Sequence, residues 1–323
     1  MALTDEGLIE VADFDSRWVR LASGAKAHYM TSGSNGPAVL LLHGGIVGSS
    51  GLAGWRFMAP FLGASGFRVY CPDMPGFGLS DSSPQHRPQS YAAYVDFLKE
   101  FTTALCLERF HIAGNSMGCG NTVNYICNHP EDIISFALIA GPVGDVAPAI
   151  PVSDGAKKQL IAFDGTPESM RTMMNAIIYR ETAVTDDLVE MRTTAANNQM
   201  GSYTTIVQSF LSWVAGTADP ALASRLRTKG RLDCCGVPGI YLYGKNDVVL
   251  PHTDHYGIED NLPDVQFFYP DECGHQGQTD QPEMFNQVFL EFFRDGVVSR
   301  KTADWAGVSD RRPENVALVE QHS

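Results

Sequence analysis

The chain has 323 residues, 44% hydrophobic and 19% charged, with a formal net charge of −14 at pH 7. That composition suits an ordinary globular protein of one large domain or two, and its acidity excludes a surface built to follow phosphates, so no nucleic acid is expected as a partner. The N-terminus, "MALTDEGLIEVADFD", has neither the basic start nor the apolar block of a secretion signal, and runs such as "AVLLL" and "FALIA" are too short to span a bilayer, so a cytoplasmic protein without a membrane segment is expected.

In chain order, the first apolar run is "AVLLLHGG" (38–45), which breaks at two glycines. "FRVYCPDMPGFG" follows, then the helical pattern "SYAAYVDFLKEFTTAL", then "RFHIAGNSMG" running into "NTVNYICNHP", then "IISFALIAGP". Strand-like runs separated by helical patterns predict an α/β fold with a mostly parallel sheet covered on both faces. From about 145 to 232 the alternation stops, and "SMRTMMNAIIYR", "TDDLVEMRTTAANNQ" and "SYTTIVQSFLSWVAG" read as separate helices punctuated by Gly, Pro and Thr. Strand patterns resume with "GIYLYGKND" and "VQFFYPDECGH", and residues 296–323 read as a loosely held polar tail. The expected organisation is therefore a core of 1–144 and 233–295, a helical insert of 145–232, and the tail.

Seven cysteines, an odd number with no C-x-x-C pair, predict free and mostly buried thiols. His252 and His255 are three apart but have no evident third ligand, which favours a loop with two solvated histidines over a metal site.

The chemistry centres on Gly114-Asn115-Ser116-Met117-Gly118, a G-x-S-x-G pattern between a strand and a helix. Glycines flanking the serine permit a sharp turn that projects the hydroxyl from the carboxyl end of the sheet. A serine hydroxyl needs a base to take its proton and an acid to orient that base. Asp247 and His275 each fall just past a later strand, in the order Ser, Asp, His. A glycine turn at His43-Gly44-Gly45 leaves backbone N–H groups uncovered, so Gly45 and Met117 are the candidate oxyanion-hole residues. The bland readings are a turn aspartate, a loop histidine and a plain glycine turn.

With those residues in place, the chain from about Arg17 to Asp295, including "DMPGFGLSD" (73–81), resembles the α/β-hydrolase superfamily. The resemblance implies an eight-stranded core sheet, a helical cap formed by the insert, and a serine hydrolase rather than an enzyme that attacks through a carboxylate. Within the superfamily, "GNSMG", "NAIIYRETAVTDDLVEMR" and "CGHQGQTDQPEMFNQVFLEFF" are similar to the meta-cleavage product hydrolases, which split carbon–carbon bonds in vinylogous 1,5-diketones derived from catechols. That likeness implies Arg192 as the binder of a substrate carboxylate, with Asn115, Gly44, Phe57 and Gln276 also lining the substrate site. It implies no metal or organic cofactor, and a small-molecule substrate as partner; a homodimer is compatible with it. An arginine on an amphipathic helix is otherwise more often solvated or ion-paired. The chain departs from the family where Gln276 replaces a tryptophan, Cys119 a glycine, and Phe57 stands near a usual asparagine. A carboxylesterase or lactonase would use the same core residues, and a slow-turnover small-molecule receptor of this fold is a further alternative.

Overall fold

The computed structural model describes residues 3–90, 92–141, 163–214, 216–228, 230–262 and 264–312. Among these residues eight strands form one sheet: β1 (Asp15–Arg20), β2 (Lys26–Ser32), β3 (Ala38–Leu42), β4 (Arg68–Pro72), β5 (Phe110–Asn115), β6 (Ile133–Ile139), β7 (Gly239–Leu242) and β8 (Val265–Phe268). Their order is β1-β2-β4-β3-β5-β6-β7-β8. β2 runs antiparallel to β1 and β4, and every other neighbouring pair is parallel. β3, β5, β7 and β8 are buried at every position, as strands covered on both faces must be, and this is why they read as largely apolar runs. The N-terminal pair β1 and β2 did not stand out from composition; β1 is largely exposed and lacks such a run.

Helices cover both faces. They are α1 (Gly51–Trp55), α2 (Met58–Ala64), α3 (Ala92–Ala104), α4 (Met117–Asn128), α5 (Pro167–Ile177), α6 (Asp186–Val214), α7 (Pro220–Leu226), α8 (Tyr256–Asn261), α9 (Gly277–Asp280), α10 (Pro282–Asp295) and α11 (Arg300–Trp305). On α10, Met284, Phe285, Val288, Phe289, Phe292 and Phe293 make one buried stripe at helical spacing. Each such side chain contributes roughly 1.5–3 kcal/mol on burial.

α5, α6 and α7 are inserted between β6 and β7; the first part of the expected insert, 145–162, lies outside the described residues. Two of the expected helices are one. α6 runs through Gly201, whose missing side chain leaves space for Arg87: a Cβ there would stand 3.0 Å from the guanidinium. The punctuation was thus for packing, not for a break.

The segment expected to trail loosely is docked as far as Arg312. Ser309 N–H donates to Phe267 O at 2.8 Å, Tyr269 N–H to Gly307 O at 2.7 Å, and Val308 bridges Phe268 on the edge strand. Buried Glu259 accepts from Ser309 Oγ and Tyr269 Oη, both at 2.6 Å, and pairs with Arg311 at 3.3 Å. Of the cysteines, all free, only Cys71, Cys119 and Cys273 are buried; Cys127 and Cys235 are half-buried and Cys106 and Cys234 exposed, so "mostly buried" was too strong. His252 is not loosely solvated either: it opens a short 3-10 turn and its ring packs on Tyr256 and Tyr269.

Candidate active site

Register sets the location. Leu42 pairs with Gly114, Asn115 with Ile139, Ile139 with Leu242 and Leu242 with Phe268, so the carboxyl ends of β3 and β5 to β8 form one rim. Ser116 follows β5 on that rim and caps α4, with φ 56° and ψ −119°. A non-glycine residue held there stores about 1–3 kcal/mol of strain, which the surroundings must impose. They do so by close approach: a Cβ on Gly114 would lie 2.2 Å from the backbone of Gly118, and one on Gly118 would lie 2.3 Å from Leu42 O. The first N–H groups of α4 have no partner within the helix and carry its positive dipole end.

The loops after β7 and β8 meet in the same way. A side chain on Gly244 would strike Cys273 O at 2.3 Å and Gly274 O at 2.5 Å, and Asn246 N–H donates to Cys273 O at 2.9 Å. That contact brings Asp247 to His275. His275 Nδ1–H donates to Asp247 Oδ2 at 2.8 Å, while Asp247 Oδ1 accepts from the N–H groups of Val249 and Leu250 at 2.8 and 2.9 Å. Histidine and carboxylate are 1% and 5% exposed, so the pair is shielded from solvent. With Nδ1 protonated, Nε2 presents a lone pair; it is buried and makes no hydrogen bond, that to Ser116 included.

The loop after β3 is held at both ends. His43 Nδ1–H donates to Gly44 O at 2.7 Å and its Nε2 accepts from Met74 N–H at 3.0 Å, an arrangement that requires the neutral ring. Burial holds its pKa below the ordinary histidine value. At the far end Asp73 Oδ1 accepts from Gly51 N–H at 2.7 Å. Between them Gly44 faces Ser116, with its would-be Cβ 3.4 Å from the serine Cβ, and Gly45 faces the Met117 side chain at 2.7 Å. The structure thus brings Gly44, Gly45, Ser116 and Met117 together.

Arg192 is the largest departure from the ordinary behaviour of its residue type. It lies on α6, is 1% exposed, and among the described residues no carboxylate pairs with it. Its Nη2 donates to Ser49 Oγ in the glycine loop at 3.1 Å, and its Nε has no partner. Burial, reinforced by the charge of Arg56, pulls its pKa down to about 10. Arg56 is buried as well, pulled to about 10 by burial, and donates to Ala53 O at 3.0 Å and Ala183 O at 3.2 Å. A desolvated guanidinium without a counter-charge is costly, and an anionic ligand removes the cost.

The remaining expected residues divide. Gln276 is buried with its Oε1 unpaired, whereas Phe57 is 40% exposed with its ring against Arg56. Asn115 uses both Nδ2 protons on backbone, donating to Ile139 O at 3.1 Å and His275 O at 2.9 Å. Its amide therefore holds the histidine and has no proton left for a carboxylate. Sequence reading missed Ser49, Arg56 and Asp280. Arg56 stands in "GWRFM" (54–58), where nothing marks it as buried; Asp280 in "QGQTDQP" looks like a turn residue.

A family model described as alpha/beta hydrolase fold matches residues 37–282. The chain is 28% identical over 283 residues to a 2-hydroxy-6-oxononadienedioate/2-hydroxy-6-oxononatrienedioate hydrolase of Paraburkholderia phymatum, covering 86% of this chain and 95% of the relative. It is also 28% identical over 272 residues to a 2-hydroxy-6-oxo-6-phenylhexa-2,4-dienoate hydrolase of Burkholderia cepacia, covering 83% and 91%. Among solved structures, a meta-cleavage product hydrolase from Pseudomonas fluorescens IP01 superposes with a TM-score of 0.72 at 24% identity, covering 87% of this chain and 98% of the other; that likeness is one of fold.

Proposed function

The chain belongs to the α/β-hydrolase fold family, and from that premise we propose that it is a serine-dependent hydrolase cleaving a carbon–carbon bond in a carboxylate-bearing vinylogous 1,5-diketone, the product of catechol ring opening. The observation that carries the substrate class is Arg192, buried and unpaired by any carboxylate among the described residues, beside the glycine loop. The names of the two similar hydrolases from Paraburkholderia phymatum and Burkholderia cepacia, both hydrolases of hydroxy-oxo-dienoates, support it.

In this reading the helices between β6 and β7 are a cap over the rim, and Arg192 on that cap holds the substrate carboxylate by paired N–H donors. His275 helps convert the bound dienol to its keto tautomer. Its Nε2 then takes the Ser116 proton as Oγ attacks the remote ketone, whose oxygen is held by the N–H groups of Gly45 and Met117. Collapse breaks the carbon–carbon bond, and the departing carbon receives the proton from His275. An acyl group remains on Ser116. Water, giving a proton to Nε2, hydrolyses it and the serine is restored. Asp247 keeps the imidazole in the tautomer that leaves Nε2 free and stabilises its cation. Hydrogen bonds of this kind shorten when substrate binds, so the unpaired Nε2 of the free protein is compatible with the role.

The test is a spectrophotometric screen of coloured ring-fission dienoates beside neutral aryl esters, with Ser116→Ala as control. Loss of dienoate colour only with intact Ser116 is the expected result. Esters consumed while dienoates persist would replace this reading by a carboxylesterase or lactonase.

A further inference from the structure

His275 is anchored outside the core sheet's own loops. Its N–H and that of Gln276 both donate to Ile177 O, at 2.9 and 3.2 Å, at the end of α5 in the insert. Asp280 closes the same junction from the other side: Oδ1 accepts from Arg180 N–H at 2.9 Å and Oδ2 from Gly274 N–H at 2.7 Å, with Tyr179 N–H as a further donor. The carboxylate is 1% exposed. We infer that Asp280 is a positioning residue, a clasp that fastens residues 177–180 of the insert to residues 274–276 and so determines where His275 Nε2 is aimed. This rests on the proposed role of His275 as the base.

Three of the four polar atoms of His275 are tied. The ring Nδ1 is held by Asp247, the carbonyl accepts from Asn115, and the N–H is held by Ile177; only Nε2 is free. Two of these ties belong to the core, and the third belongs to the insert. Gly274 allows the third, since a Cβ there would lie 3.0 Å from Ile177 O and 3.1 Å from both Asp280 Oδ2 and Tyr179 N. No neutral side chain can replace the clasp well. A carboxylate accepts from N–H groups at both oxygens, while an amide at position 280 would turn its own N–H donors against one of them. The insert is therefore part of the frame that aligns the base, and at this corner it cannot swing away without taking the histidine loop along.

The experiment uses the full chain with Asp280→Asn, Asp280→Glu and Gly274→Ala, and with Ser116→Ala and His275→Ala as references. Three quantities are read: kcat and KM separately on a carboxylate-bearing dienoate and an aryl ester, the pH profile of kcat, and the downfield proton resonance of His275 Nδ1–H, recorded without substrate. Asp280→Asn should lower kcat about 10- to 100-fold, as misplacement of a reacting group by about 1 Å does. KM should stay within about threefold, the acidic limb of the profile should move, and the resonance should shift or broaden. Gly274→Ala, which drives a methyl group into the junction, should act in the same direction, and Asp280→Glu should recover part of the loss. The inference is overturned if Asp280→Asn and Gly274→Ala keep kcat within twofold with the resonance unmoved, or if lost activity only follows the unfolded fraction while the resonance of the folded molecules is unchanged. Should Asp280→Asn fail to fold, Gly274→Ala and Asp280→Glu decide by the same readings. Failure of the underlying function looks different: Ser116→Ala and His275→Ala would then remain active.

Discussion

Among the described residues two buried histidines each bond an aspartate through Nδ1. At the carboxyl rim His275 Nδ1 meets Asp247 at 2.8 Å; at the other end of the chain His28 Nδ1 meets Asp73 at 2.7 Å, and both histidines are buried. The second pair belongs to the more completely bonded cluster. His28 Nε2 lies 3.0 Å from Ser16 Oγ, and Ser16 Oγ in turn donates to Glu6 Oε2 at 2.6 Å. Its proton is spoken for by a carboxylate. Ser16 also sits in the extended ladder of β1, opposite Met30. Ser116 has the opposite features, a strained backbone and a helix beginning beneath it, and on the same rim His275 keeps one nitrogen unspent. Asp73 accepts from Gly51, Leu79 and His28, which is the work of a bracket. The contrast teaches that a fully bonded histidine cluster acts as a bracket, whereas a buried histidine that pairs with a carboxylate and keeps its second nitrogen free has the capacity to take a proton.

The comparison breaks most readily at the two serines. Ser116→Ala should lower kcat on the dienoate by roughly 10⁴-fold or more, whereas Ser16→Ala should leave it within about twofold. Equal effects would erase the distinction. The two aspartates come next. Asp247→Asn should lower kcat by about 10³- to 10⁴-fold by favouring the wrong tautomer, with little change in melting temperature. Asp73→Asn should instead cost about 2–4 kcal/mol of stability, measured by urea unfolding, because it unpairs a buried histidine and amides.

Arg192→Ala sharpens the contrast by removing the buried cation beside the glycine loop. It should lower kcat/KM on the dienoate by roughly 10²- to 10³-fold while a neutral ester is turned over almost as before. Acid stability gives a smaller effect. Burial holds His111 at about 4 and His43 below its ordinary value, so both are neutral when folded at pH 7. Between about pH 6.5 and 4 the unfolded chain binds more protons at these positions, and stability must fall on acidification, by roughly 2–3 kcal/mol for His111. Asp73 acts lower down: its folded pKa is depressed, largely by His28 acting against burial, so its stabilising contribution is complete above about pH 4 and is lost as pH falls through the folded value. Melting temperatures from pH 8 to 4 should show the histidine effect, and His111→Phe should flatten it. The smallest effect is the stability lost in Ser16→Ala, about 1 kcal/mol.

The Asp247–His275 pair and the turn at Ser116 were legible because each lies past a buried strand that reads as a largely apolar run. The turn glycines made the rim legible for the same reason: only close approach of backbones calls for them at those points. What escaped notice depends on contacts distant in sequence. Arg56 and Asp280 are charged residues whose burial follows from how the insert packs on the rim, which no local pattern records. The merging of two helices into α6 was hidden because Gly201 serves Arg87, more than a hundred residues away. Asn115 carried the opposite error: its place beside Ser116 suggested a substrate contact, while its two protons are spent on Ile139 and His275.

β8 is the last strand of the sheet, and its outer side would otherwise present a row of unpaired amides to any extended peptide that approached. Gly307, Val308 and Ser309 lie along that side and occupy it. The stretch that looks dispensable on paper is thus what stops the sheet from continuing into a neighbouring molecule. Clipping the protein before residue 307 would convert a finished border into an adhesive one, with self-association as the outcome.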